Sequence, residues 1–174
     1  MKYTFLVLFL LFAITLFARP VKVIRVIDGD TFVIEGGERV RVIGINAPEM
    51  KTEYGEPAKE HLFALIDGQT VDIEPDHISN DKDVYGRLLR YVYLNGTDIN
   101  KKMVTDGYAI AFLKYPFDKE QEYKQEETKA KTAGLGIWAH TGAVNGSQNG
   151  FPYATAIIIL LIIIIFAIIL RRKK

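Results

Sequence analysis

The chain contains no cysteine, so its fold needs neither disulfide formation nor a reducing compartment, and export is open to it. It has only three histidines, His61, His77 and His140, at no spacing that suits metal ligation. It also lacks a strong charge of one sign, since 22 Lys and Arg stand against 21 Asp and Glu, a formal net charge of +1. Even that value comes from the two ends, which carry basic residues and no acidic ones. Between Pro20 and Gly150 there are 16 basic and 21 acidic residues, a difference of −5. This excludes a whole-surface positive field that draws in polyanions; polyanion binding must come from a local patch, such as arginines with a bound cation. No internal repeat is present, and the only low-complexity segment is an isoleucine-rich tail.

What is present begins with length: 174 residues, 49% of them apolar, make room for one ordinary domain plus accessory segments. Residues 1–19 read as a secretory signal, with Lys2, an apolar stretch from Phe5 to Ala18, and then Arg19-Pro20. Leu16 departs from the small-x-small cleavage pattern, so retention as an N-terminal anchor stands beside cleavage at Ala18. At the other end Phe151 to Leu170 gives 20 residues without a charge, followed by Arg171-Arg172-Lys173-Lys174. Twenty helical residues span about 30 Å, one hydrocarbon core. Residues 151–170 are therefore expected to form a transmembrane helix contacting the lipid bilayer, with 171–174 as a basic cytoplasmic tail. A signal at one end and a stop-transfer segment at the other would leave the part between them facing outward, on a single-pass cell-membrane protein. The tail also resembles the tripartite sorting signals of prokaryotic surface proteins, which are removed after export. Residues 141–150, TGAVNGSQNG, have little to bury and read as a flexible tether, leaving 20–140 as the folded domain.

Within that domain, β-branched runs at Val21–Ile27 and Glu38–Ile45 flank DGDTFVI, with Gly36-Gly37 as a turn, and predict an antiparallel meander. Tyr54 to Ile66 places Ala58, Leu62, Leu65 and Ile66 on one helical face, and Asp67-Gly68 ends it. Strands are expected at Thr70–Glu74 and Leu88–Leu94, a helix near Asp98–Thr105, and a last, mostly polar helix capped by Asp118 and stopped by Gly134. Five strands with interspersed helices, and few parallel-crossover signals, predict an α+β fold: a five-stranded OB-type β-barrel with about three helices.

Three fragments carry chemistry. Asp28-Gly29-Asp30-Thr31 alone reads most simply as a hairpin turn, yet it supplies the hard oxygen donors that calcium prefers. Arg41 to Glu49, RVIGINAPE, and Tyr85-Gly86-Arg87 add two arginines and a carboxylate. Guanidinium forks match phosphate oxygens and stay charged at any working pH, so the pair suits a phosphoryl transition state, and one carboxylate is left to handle water. Singly, Arg41 reads as an exposed strand charge, Glu49 as a loop acid and Arg87 as a surface arginine; their combination reads as a nuclease site.

From Val23 to Trp138 the chain resembles the staphylococcal nuclease, or thermonuclease, family of calcium-dependent phosphodiesterases. The matching pieces are VIDGDT, ERVRVIGINAPE, a helix containing YGEPAKEHL, DVYGRLL, INKKMVTDGYA and a closing GLGIW, all in one order. The resemblance implies that Arg41, Glu49 and Arg87 are catalytic. It further implies that Asp30, Asn46 and Ala47, the last through its backbone carbonyl, hold Ca2+. Asn46 stands where the family usually has aspartate, so the site loses one formal negative charge but keeps an oxygen donor. Tyr85, Phe112 and Tyr115 are candidates for stacking on bases of a DNA or RNA substrate, with core packing the alternative for Phe112 in the run YAIAFL. The resulting expectation is a calcium-dependent, sequence-nonspecific nuclease that leaves 3′-phosphate ends outside the cytoplasm. The alternative is a noncatalytic OB module binding oligonucleotides or a protein, which the carboxylate beside a phosphate site argues against. No protein partner is inferable.

Overall fold

The structure is a computed structural model and describes residues 19–139. The expected signal, tether, membrane helix and basic tail lie outside the described residues. Among the described residues no helix is long and apolar enough to cross a membrane.

Five strands make a closed barrel: β1 (Arg19–Asp28), β2 (Thr31–Ile34), β3 (Arg39–Val42), β5 (Thr70–Glu74) and β6 (Leu88–Leu94). The first three form the expected antiparallel meander, with Val26 opposite Phe32 and Thr31 opposite Arg41. Strand β1 serves two neighbours. Its first half pairs with β5, Arg19 opposite Ile73, and its second half with β2, with register shifts between Val23 and Arg25 and between Val26 and Asp28. Such bulges bend and twist a strand, letting one chain segment turn a barrel corner. Closure comes from β3 lying parallel to β6, Arg41 opposite Leu89. Two short pairs complete the strands: β7 (Thr97–Asp98) folds back antiparallel on the end of β6, and β4 (Ile45–Asn46) pairs with β8 (Ile110–Ala111).

Three helices sit against the barrel: α1 (Gly55–Ile66), α2 (Ile99–Thr105) and α3 (Glu120–Ala133), followed by a 3₁₀ turn at Gly136–Trp138. The α1 face expected from the sequence is the buried one, with Ala58, Leu62 and Ile66 fully enclosed and Leu65 packed beside them. They meet inward residues of the barrel such as Val23, Phe32 and Val40 in a single core, where exclusion of water is the main source of stability. Asp98 caps α2 by accepting from the Lys101 N–H at 2.9 Å.

One expectation needs correction. The cap position of α3 is Lys119, not Asp118, because the Asp118 backbone N–H donates to Asp76 Oδ1 at 2.9 Å and its carboxylate accepts from the His77 N–H. His61, which has no metal-ligand spacing, has a packing role: it pairs with Asp106 at 2.7 Å and stacks on Tyr108, joining α1 to the end of α2.

Candidate active site

The turn between β1 and β2 drives Asp30 into the protein. Its backbone N–H is held by Asp28 Oδ1 at 3.1 Å, and Gly29 packs so closely that an added Cβ would lie 2.6 Å from Ala47 Cβ and 2.8 Å from Ala58 Cβ. Asp30 is only 8% exposed. Its Oδ2 accepts from the Ala47 N–H at 2.9 Å and pairs with Arg41 Nη2 at 3.1 Å; its Oδ1 accepts from the Thr31 hydroxyl at 3.1 Å. The bond to Ala47 draws the segment after β3 against the β1–β2 turn, uniting two of the sequence fragments.

Arg41 is not the exposed strand charge that its alternation with valines permits. Its side chain is 12% exposed, and besides Asp30 it donates to the Val42 carbonyl at 2.6 Å and to Asn46 Oδ1 at 3.2 Å. Burial pushes the Asp30 carboxyl above its ordinary range, although Arg41 and the Ala47 N–H pull it back. Burial also lowers the Arg41 guanidinium, with Asp30 opposing and Arg87 adding repulsion. Both charges are left incompletely compensated by the protein. A further cation would favour the ionised Asp30 carboxylate and an anion the charged Arg41 guanidinium.

Arg87 enters from the turn before β6. Its Nη1 donates to Thr31 Oγ1 at 3.3 Å, so Thr31 links it to the Asp30–Arg41 pair. Glu49 lies two residues beyond Ala47 with its side chain exposed and without a hydrogen-bond or ion-pair partner among the described residues. Its backbone is fixed, since its carbonyl accepts from the Thr52 N–H at 2.8 Å and the Thr52 hydroxyl at 2.7 Å.

The aromatic candidates divide. Tyr85 is 81% exposed and its ring lies 5.4 Å from Arg87 Cζ. Phe112 and Tyr115 form a separate pair with centroids 6.0 Å apart; Phe112 is half-buried and stands outside the core, and Tyr115 is 62% exposed. Pairing of β8 with β4 brings this second pair to the strand that carries Asn46.

For a cation, the donors at hand are the Asp30 carboxylate, the Asn46 carboxamide oxygen and the Ala47 carbonyl. Hard oxygens beside an undercompensated buried carboxylate fit calcium. Among the described residues no group of three or more His, Asp or Glu side chains could hold a metal.

Comparison with known proteins decides the family. The family model described as Staphylococcal nuclease homologue matches residues 39–140. The chain belongs to this family. It is 34% identical to the thermonuclease of Staphylococcus hyicus over 129 residues, 68% of this chain and 75% of that protein. It is 34% identical to endonuclease YncB of Bacillus subtilis over 131 residues, 69% of this chain and 62% of that one. A probable staphylococcal-like nuclease of rice, CAN3, is 36% identical over 110 residues, but the match takes in 63% of this chain and only 28% of the plant protein's length. The segment matched to the staphylococcal nuclease homologue model holds Arg41, Asn46, Ala47, Glu49 and Arg87; Asp30 precedes it and joins the site through the fold.

Sequence reasoning missed two members of the cluster, Thr31 and Asp83. Thr31 carried no signal apart from its place in DGDT. Asp83 had one, an aspartate four residues before Arg87 in a turn, where an Asx side chain can bond the backbone ahead of it.

Proposed function

We propose that this staphylococcal nuclease homologue is a calcium-dependent, sequence-nonspecific nuclease. It hydrolyses phosphodiesters of DNA and RNA outside the cytoplasm, tethered by residues 151–170, and leaves 3′-phosphate ends. The observation that carries the reading is the convergence of both arginines on neighbouring residues, Arg41 on Asp30 and Arg87 on Thr31.

Asp28, Asp30, Glu49 and Asp83 against Arg41 and Arg87 give these residues a formal charge of −2, which repels a phosphate unless a divalent cation is taken up. Asp30, Asn46 and Ala47 would hold that cation, and calcium supplies positive charge to the scissile phosphate. Arg41 and Arg87 donate to the nonbridging oxygens, more strongly as charge builds in the five-coordinate transition state. Glu49, without a hydrogen-bond or ion-pair partner among the described residues, accepts a proton from water as the water oxygen bonds to phosphorus. The P–O5′ bond breaks, its electron pair stays on O5′, and a proton completes the 5′-hydroxyl while phosphate remains on the 3′ side. Tyr85, Phe112 and Tyr115 offer faces to unpaired bases, which gives affinity without a sequence code. A site short of one carboxylate suits the millimolar calcium outside cells.

The test is cleavage of single-stranded DNA and of RNA by the full-length protein in detergent, with calcium or with chelator, followed by end-group analysis. Calcium-dependent cleavage to 3′-phosphates is the expected result. No cleavage at any calcium concentration would sink the proposal.

A further inference from the structure

The turn that presents Arg87 is organised by one carboxylate that the mechanism does not use. Asp83 Oδ1 accepts from the Tyr85 N–H at 2.9 Å and the Arg87 N–H at 3.0 Å. Its Oδ2 takes Arg87 Nε at 2.7 Å and Nη2 at 2.7 Å, and its backbone closes the turn with Gly86 N–H donating to Asp83 O and Asp83 N–H to Arg87 O, both at 3.0 Å. Beyond the turn, the contact of its side chains with the barrel is the weaker bond from Arg87 Nη1 to Thr31 Oγ1 at 3.3 Å. Val84 is 93% exposed and Tyr85 81%, so neither packs the turn against the barrel. The base of the loop is tied separately, by the Arg90–Asp81 pair at 2.6 Å and the bridge between Lys82 and Leu88. Those contacts fix where the turn begins and leave its side chains undetermined.

We propose that Asp83 is a positioning residue for catalysis, holding the Arg87 guanidinium by its Nε–Nη2 edge so that the Nη1 end, which gives one N–H to Thr31 Oγ1, turns its second N–H to the phosphate. This rests on the nuclease reading given above. Both Asp83 oxygens are committed to the turn, so it is no candidate for a proton acceptor. A free arginine side chain loses rotamer freedom when it binds, and an anchored fork has lost that freedom before substrate arrives. The same carboxylate sets the Tyr85 backbone, so ring and guanidinium move as one unit.

Charge and position make opposite claims here. A carboxylate 2.7 Å from Arg87 weakens that arginine's attraction for phosphate, so if charge alone mattered, Asp83→Asn would tighten substrate binding and leave turnover equal or higher. As a positioning residue, Asp83→Asn lowers kcat by about 30-fold, the scale of a lost charge-assisted hydrogen bond, with KM within about threefold of the wild type.

The experiment is a double-mutant cycle on full-length protein in detergent, with kcat and KM measured on a single-stranded oligonucleotide at saturating calcium. Asp83→Asn, Arg87→Ala and the double variant are compared with the wild type, and circular dichroism checks each fold. Asp83→Asn is expected to cost nothing further, within about twofold, once Arg87 is alanine, because the residue acts through that side chain. Asp83→Glu keeps the charge, moves it by one methylene, and is expected to lose about tenfold or more; it carries the cycle if the asparagine variant unfolds. The Arg87 Nε–H resonance gives a readout independent of cleavage: slow solvent exchange in the wild type and fast exchange in Asp83→Asn. An active wild type whose losses simply add, or an Asp83→Asn protein at full kcat, overturns the role of Asp83 alone. An inactive wild type overturns the nuclease reading and this role with it.

Discussion

Two residues separated by Ala47 and Pro48 carry opposite demands on their surroundings. Glu49 needs to be solvated and unpaired to take a proton from water, and its side chain is exposed with no partner among the described residues. Glu49→Gln keeps the shape and removes the base, so turnover should fall by about 10²-fold or more while the fold survives. Initial rates at saturating calcium, with circular dichroism on the same sample, check this. Asn46 sits inside, its oxygen already accepting from Arg41 at 3.2 Å. A carboxylate there adds attraction to a divalent ion at contact distance, and calcium sites are tuned by their number of charged ligands. Asn46→Asp should therefore move half-activation to about tenfold lower calcium, or roughly 1.4 kcal/mol, with a smaller change in maximal rate. Calcium titrations of activity and of heat, run on both proteins, decide whether residue 46 is a ligand. An unchanged or higher half-activating concentration would show that it is not.

Helix α1 contributes no side chain to the chemistry, yet it backs both site loops. Ala58 lies under Gly29 of the β1–β2 turn, and Gly55 lies against the loop that bears Glu49. A Cβ at Gly55 would stand 2.2 Å from the Glu49 carbonyl oxygen and 2.6 Å from Met50 Cα, and backbone cannot rotate out of the way as a side chain can. Gly55→Ala should then displace Glu49 or the first turn of α1, costing about 1–3 kcal/mol of stability and lowering kcat well beyond what residual unfolding explains. Thermal melting with rates on the folded fraction separates the two; an unchanged rate would mean that the loop yields without moving its carboxylate. This dependence was illegible in the sequence, where Gly55 is one more small residue at a helix start. Strands β5 and β6 and the apolar face of α1 were legible because period-2 and helical spacing are local properties. Arg41, Asn46 and Glu49 could be named together because they share one segment and that segment resembles the staphylococcal nuclease family; their roles belong to the proposed function. The parallel closure of β3 on β6, the burial of Arg41 and the hold of Asp83 on Arg87 depend on contacts across the fold or on which way a turn side chain points, and no local pattern encodes them. The cap of α3 shows the same limit from the other side: Asp118 has the right residue type, but its carboxylate accepts from the His77 N–H and not from the first turn of the helix.

At the scale of the molecule, Asp76 is where distant pieces of the chain are fastened. One carboxylate accepts from the Tyr91 hydroxyl at 2.6 Å and the Asp118 N–H at 2.9 Å on Oδ1, and from the Ser79 N–H at 2.8 Å and the Ile78 N–H at 3.1 Å on Oδ2. It thus joins the exit of β5, strand β6 and the approach to α3. That approach follows the Phe112–Tyr115 aromatics, which the Ser79 hydroxyl also tethers through the Pro116 carbonyl at 2.9 Å. Burial pushes the Asp76 carboxyl up, but the hydrogen bonds from Tyr91, Asp118 and Ser79 outweigh it and hold the group below its ordinary value of 3.8. A carboxyl depressed in the folded state stabilises the fold when ionised. Its contribution is complete well above 3.8 and is lost as pH falls through the lower folded value. Asp76→Asn, with one accepting oxygen, cannot accept from all three backbone N–H groups and Tyr91 at once, so at pH 7 it should be less stable by about 2–3 kcal/mol. In the wild type protonation removes the same charge, so the difference between the two proteins should shrink as pH drops below that ordinary value. Urea unfolding of both proteins from pH 7 to pH 3 measures it. A stability gap that stays constant over the whole range would mean that Asp76 acts through packing and not through its charge.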